Sequence, residues 1–180
     1  MTTTQHTKNI TRVSIFDFDG TLINTPLPDT GKAIYHQKTG NEWPHTGWWG
    51  KEESLDSSIF DMPLVEAVIA DYKEEIKRED TLTVMITGRM TRLASNVKKI
   101  LDENGLTFHE LHFNTGGSTD AVKINTFEDI LARFPEIEEI SIWEDRIAHV
   151  GIFEQWGREK CEIKRLKDFK ITVVISENHK

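Results

Sequence analysis

The sequence holds a single cysteine, Cys161, in 180 residues. No disulfide can form within the chain, and chemistry through paired thiols is excluded. No Cys/His spacing suggests zinc, so packing has to hold the fold together. No apolar run approaches the roughly 18 residues that mark a membrane span. The opening stretch, MTTTQHTKNITR, lacks the apolar block of a secretory signal. A cytoplasmic protein with no membrane partner is expected. Basic residues are also scarce, 22 against 30 acidic ones, for a formal charge of −8. That sign is wrong for coating an extended duplex by counterion release, so any contact with nucleic acid should be local. The phosphate-binding pattern GxxxxGK[ST] is missing, which argues against a kinase of that type. There is no internal repeat and no low-complexity tract.

What is present reads as one domain over 1–180. Residues 1–11 are polar and aperiodic, a loose leader. The fold starts at Arg12, and Val13 to Phe16 is a short β-rich run that stops abruptly at Asp17-Phe18-Asp19-Gly20, as a buried parallel strand does when it meets a functional loop. Residues 25–62 carry Pro26, Pro28 and Pro44 with Trp43, Trp48 and Trp49 and little periodicity, so they read as a loop-rich cap insert. Pro63 then opens an amphipathic stretch with Leu64, Val65, Val68, Ile69, Tyr72 and Ile76 at helical spacing. Leu82 to Ile86 reads as a second buried strand, followed by Thr87-Gly88-Arg89 and a helix that stops at Asn104-Gly105. His109 to Phe113 is a weaker strand, Lys123 to Phe134 a helix, Ile140 to Trp143 a fourth strand and Ile171 to Ile175 a late one. This alternation predicts an α/β fold of the Rossmann-like, doubly wound kind: a mainly parallel sheet with helices on both faces.

In open α/β sheets the ligand crevice lies beyond the carboxyl ends of the strands. The residues that follow each expected strand should therefore converge: Asp17 and Asp19, then Thr87 and Gly88, then the loop leading to Lys123, then Glu144 and Asp145. Gathered carboxylates with few other ligands suit a hard cation such as Mg²⁺, which keeps several waters and shares its shell with phosphate. Lys123 would place a fixed positive charge on a transferring group. Thr87 could hydrogen-bond a phosphate oxygen, and Gly88 could offer a backbone N–H near a helix start. Arg89 and Arg146 each follow such a group and are candidate substrate contacts. His149 reads as a structural histidine.

DFDGTL at 17–22, ITGR at 86–89, Lys123 at a helix start and WEDR at 143–146 resemble, in order and spacing, the four motifs of the haloacid dehalogenase-like (HAD) phosphatase superfamily. The resemblance implies that Asp17 is a nucleophile forming an aspartyl-phosphate. It implies that Asp19 protonates the leaving oxygen, then activates the hydrolytic water, and offers its main-chain carbonyl to the metal. Asp17, Asp19, Glu144 and Asp145 would surround Mg²⁺, with Glu144 standing where an aspartate is usual. The GWW at 47–49, NTP at 24–26 and EDRxxH at 144–149 further resemble the HAD domain of Swiss-Army-knife RNA-repair proteins. WEDR is similar to the strand end of polynucleotide 3′-phosphatase domains and deoxyribonucleotidases.

On this reading the partner is a phosphorylated small molecule or a nucleic-acid end, and the chain is a free-standing phosphatase. Trp48 and Trp49 could contact substrate by stacking on a base, or the three tryptophans could form the small core of a flap. Two other functions use the same motifs: a phosphatase of sugar phosphates or other small metabolites, and an idle module that binds phosphate and metal.

Overall fold

The computed structural model describes residues 9–175. Residues 1–8 of the expected leader lie outside them. Five strands form one sheet in the order β3-β2-β1-β4-β5. They are β1 (Arg12–Phe16), β2 (Thr81–Met90), β3 (Glu110–Asn114), β4 (Glu139–Glu144) and β5 (Asp168–Val173). Every pairing is parallel; β1 lies at the centre, with Phe16 opposite both Met85 and Trp143. Five helices connect them: α1 (Pro28–Thr39), α2 (Glu66–Glu75), α3 (Ala94–Glu103), α4 (Thr119–Arg133) and α5 (Ile147–Glu162). No helix among the described residues is long and apolar enough to cross a membrane.

The period of two along each strand divides the core between the two sheet faces. Phe16, Met85 and Trp143 point to one face, where they meet Val68, Ile69 and Tyr72 of α2 and Val97, Ile100 and Leu101 of α3. Val13, Ile15, Val84, Ile140 and Ile142 point to the other, against Phe127 and Ile130 of α4 and Phe153 and Trp156 of α5. Phe16 and Trp143 stack with ring centroids 4.3 Å apart, which fixes the ends of β1 and β4 side by side. The three-layer arrangement is therefore the expected one.

Four local departures matter for the site. The insert over 25–62 is not mainly loop: α1 occupies its first third, with Pro28 at the first turn and Gly40 closing it at φ +75°. Its apolar contacts are few, so the sequence shows little helical period there. Leu64 bridges to Ile23 instead of entering the next helix, so α2 begins at Glu66, three residues after Pro63. β2 continues through Thr87-Gly88-Arg89 to Met90, and Lys123 sits in the second turn of α4, not at its start. α5 carries Val150, Phe153 and Trp156 on its buried side, yet exposed Ile147 and Ile152 blur that pattern in sequence.

The insert has its own small core. Trp48 is buried, donates its Nε1–H to the carbonyl of Pro26, and packs on Trp43 and Phe60. A Cβ at Gly31 would fall inside the Trp48 indole. In an open helix Gly31→Ala would gain about 1 kcal/mol of propensity. Here the overpacking cost of about 1–3 kcal/mol should win. Urea denaturation should find Gly31→Ala less stable than the parent, with the Trp48 environment perturbed.

Candidate active site

β1 ends at Phe16, and its next residue, Asp17, donates its N–H to the carbonyl of Trp143 at 3.1 Å. The chain turns at Gly20, whose φ of +70° is the left-handed conformation glycine adopts without strain. Its N–H closes the turn on the Ile23 carbonyl at 2.7 Å. That turn keeps Asp17 and Asp19 at the carboxyl edge of the sheet. β4, in register alongside, delivers Glu144 and Asp145 to the same edge.

Asp17, Glu144 and Asp145 each offer a carboxylate oxygen, all within 4.8 Å of one another, and all three residues are buried. Lys123 is the cation among them. Its Nζ donates to Asp17 Oδ1 at 2.8 Å and to Glu144 Oε2 at 2.7 Å. The hydroxyl of Thr21 lies 3.4 Å from Asp17 Oδ2 and 3.5 Å from Asp145 Oδ1.

Burial and crowding set the charge states. Burial, with the neighbouring charge of Glu144, pushes the Asp17 carboxyl up to about 6 despite Lys123. Burial and the charges of Asp17 and Glu144 push Asp145 up to about 8. Glu144 goes the other way: although burial works against its charge, the ammonium of Lys123 holds it down at about 2. Lys123 is also buried, but the two carboxylates keep it firmly charged, above the usual lysine range. Three acids thus crowd one lysine, and two resist ionisation because they are buried beside like charges. A divalent cation fits that deficit, and the donors, all carboxylate oxygens, are of the hard type.

The oxygens do not face the ligand space equally. Asp17, Asp19 and Asp145 line a cavity of about 390 Å³, together with Lys123, Gly88 and Trp49. Glu144 is fully buried behind them, with Oε2 occupied by Lys123 and Oε1 accepting the N–H of Arg146 at 3.1 Å. Its place in the cluster is therefore that of an anchor for Lys123. The longer side chain is what lets a residue at the strand end reach both partners.

Asp19 stands apart from the three-acid cluster. Arg89 grips it with Nε 3.0 Å from Oδ2 and Nη2 2.8 Å from Oδ1, and the Thr25 hydroxyl donates to Oδ1 at 2.6 Å. The Arg89 guanidinium, almost wholly buried, also donates from Nη1 to the Trp49 carbonyl at 2.7 Å and to Ser54 Oγ at 2.8 Å. Its carbon lies 4.9 Å from the Trp49 ring centroid. One side chain therefore ties the end of β2, the Asp19 loop and the insert together. Arg89→Lys keeps the charge but loses the planar fork. It should cost about 1.5–3 kcal/mol, the range for hydrogen bonds to charged groups. Limited proteolysis should then cut the 43–55 segment faster.

The other expected site residues divide. Gly88 lines the cavity because α4 comes close: a Cβ there would approach Thr119 Cγ2 to 2.8 Å. The nearby helix start is thus that of α4, not α3. Thr87 is buried, its Oγ1 accepts the Arg89 N–H at 3.1 Å, and it does not line the cavity. Arg146 lines the cavity and is exposed. Trp49 also lines it and is 43% exposed, whereas Trp48 is turned into the insert core. His149 lines the cavity too, with Nδ1 3.5 Å from Glu144 Oε2. Thr25, Ser54 and Thr119 were not legible as site residues. Each is an ordinary polar residue in sequence, and only the fold brings it to Asp19, Arg89 or Gly88.

A parallel sheet with carboxylates from two adjacent strand ends around a lysine defines an α/β protein with a buried acidic site at the carboxyl edge of its sheet. Residues 25–180 match the HAD domain family 1 in Swiss Army Knife RNA repair proteins, and the chain belongs to that family. The match begins after DFDGTL, so the acids at 17 and 19 stand outside the matched stretch. A Saccharomyces cerevisiae protein, "Uncharacterized protein YMR265C", is 26% identical over 184 residues, covering 88% of this chain and 39% of that protein. Among solved structures, "Structure of Pnkp1/Rnl/Hen1 complex" contains a similar fold, with TM-score 0.57, 16% identity and coverage of 92% of this chain and 45% of that one. A second similar structure is a haloacid dehalogenase-like family hydrolase, SP0104 of Streptococcus pneumoniae, at TM-score 0.48 and 16% identity, covering 90% of this chain and 94% of that one. The chain spans less than half the length of the yeast protein and of the Pnkp1-complex chain.

Proposed function

We propose that the protein is a Mg²⁺-dependent phosphatase that forms an aspartyl-phosphate on Asp17, acting on nucleotide or polynucleotide-end phosphate esters. The observation that carries this reading is the meeting of Asp17 with Asp145 and Glu144, from two strand ends, within 4.8 Å and around Lys123.

Asp17 Oδ attacks phosphorus as the bond to the leaving oxygen breaks. Asp19, held at the cavity edge by Thr25 and Arg89, must be freed from Arg89 on one oxygen and take up a proton there before it gives that proton to the leaving oxygen. It then takes a proton from the water that hydrolyses the acyl phosphate. Lys123, fixed between Asp17 and Glu144, offsets negative charge on the transferring group. Asp17 and Asp145 are the side chains that would hold Mg²⁺ facing the cavity, with the Asp19 carbonyl as a further donor. The ion supplies charge neutralisation that lets a carboxylate approach a phosphate. Gly88 admits the phosphate close to the backbone. Trp49 offers its exposed ring as a wall for a flat leaving group. The substrate class is supported by the family's description and by the acidic body, which disfavours long duplex.

The test is phosphate release from 3′-phosphorylated oligonucleotides, mononucleotides and sugar phosphates, each with and without Mg²⁺. Release from the first two that vanishes on chelation is expected. Turnover of sugar phosphates alone would overturn the substrate class, and no release from any of them would overturn the enzyme.

A further inference from the structure

Most of the cationic groups around the cleft are already matched. Lys123 is held by Asp17 and Glu144, and Arg89 by Asp19. Arg92 donates to the carbonyl of Gly50 at 2.7 Å. Arg146 differs. It lines the same cavity, yet among the described residues no carboxylate pairs with its side chain.

One turn on in α5, His149 adds a second, independent sign. It is only 5% exposed, and its Nδ1 has no hydrogen-bond partner among the described residues. Glu144 Oε2, 3.5 Å away, is already bound by Lys123. A buried polar atom without a partner calls for a ligand that supplies one. Thr119, at the start of α4, lines the same wall.

We propose that Arg146 and His149 form a second anion subsite beside the reacting phosphate, and that the preferred substrate carries two phosphates. This rests on the phosphatase reading above and narrows it. Trp49 and Leu27 line the same space and provide an apolar wall for a base. The shared chemistry is a nucleotide unit with one phosphate over Asp17 and another on Arg146. A terminally phosphorylated dinucleotide and a nucleoside 3′,5′-bisphosphate both supply it, whereas a nucleoside monophosphate does not.

The three compounds are compared as substrates of the intact chain with Mg²⁺, reading KM and kcat/KM. Either two-phosphate compound should have a KM about tenfold below that of the monophosphate, as one charge-assisted contact predicts. The dinucleotide alone showing the gain identifies a polynucleotide end; the bisphosphate alone identifies a free nucleotide. Arg146→Gln should lower kcat/KM for the favoured compound about tenfold more than for the monophosphate, and Arg146→Lys should restore part of the difference. The advantage should also shrink with added salt. Equal KM values for all three, or an advantage that Arg146→Gln leaves intact, would overturn the subsite while leaving the phosphatase standing. Phosphate release from none of them removes both.

Discussion

Asp17→Asn should abolish turnover, by at least about 10⁴-fold, the scale seen when a residue acting in a catalytic unit is removed. It should do so without unfolding the protein. The side chain is nearly isosteric, and Asn Oδ1 can still accept from Lys123, which retains Glu144. The sign of the stability effect follows from the acid cluster. Burial and Glu144 push the Asp17 carboxyl up to about 6, so at neutral pH without metal the fold disfavours the charge it carries there. Replacing that charge with an amide relieves repulsion on Asp145. Metal-free Asp17→Asn should therefore melt no lower than the parent at pH 7, while single-turnover assays detect no phosphoenzyme. Loss of activity accompanied by a lower melting temperature would mean that Asp17 is chiefly structural, and the mechanism would fail.

That expectation depends on a site which sequence patterns expose unevenly. Strand ends are legible because buried parallel strands are short, apolar and β-branched, and a polar residue after them has no packing reason to be there. Asp17 and Asp145 stand out for this reason, and Lys123 does so because it precedes the helical TFEDIL pattern. The helix that carries Lys123 was harder to bound. Thr119 to Ala121 are polar or small, so apolar period only becomes visible later in the helix. α5 was missed because its buried stripe of Val150, Phe153 and Trp156 is offset by apolar residues on the solvent side.

The tryptophans show what spacing cannot say. Trp48 and Trp49 are adjacent, and only the packing of Gly31 under the indole of Trp48 decides which of them turns inward. The same limit hid the environment of Asp19. Two residues from Asp17, it invites the expectation of a crowd of acids. Arg89 reaches it from seventy positions along the chain and takes both oxygens. Glu144 in place of an aspartate likewise becomes intelligible only once Lys123 and the Arg146 N–H are seen on its two oxygens.

Mg²⁺ should stabilise the protein strongly at pH 8 and weakly at pH 5. The carboxyls of Asp17 and Asp145 sit at about 6 and about 8 in the fold, against an ordinary value of 3.8. For an acid raised in this way, the unfolded chain ionises first as pH increases. The unfolded state then binds fewer protons than the folded one, and stability falls between pH 4 and pH 8. Glu144 behaves oppositely: held at about 2, it contributes stability above pH 4 that is lost as pH falls towards 2. It cannot produce a change between pH 5 and 8. Across that window the metal-free protein should lose stability, on the order of several kcal/mol from the raised Asp145 carboxyl. A divalent ion reverses this, because it binds the ionised cluster and competes with protons on the same oxygens. Thermal melts at pH 5, 6.5 and 8, with Mg²⁺ and with chelator, should therefore diverge as pH rises, and Asp145→Asn should flatten both the metal-free pH slope and the Mg²⁺ increment. A Mg²⁺ increment that is constant with pH would place the ion somewhere other than between Asp17 and Asp145.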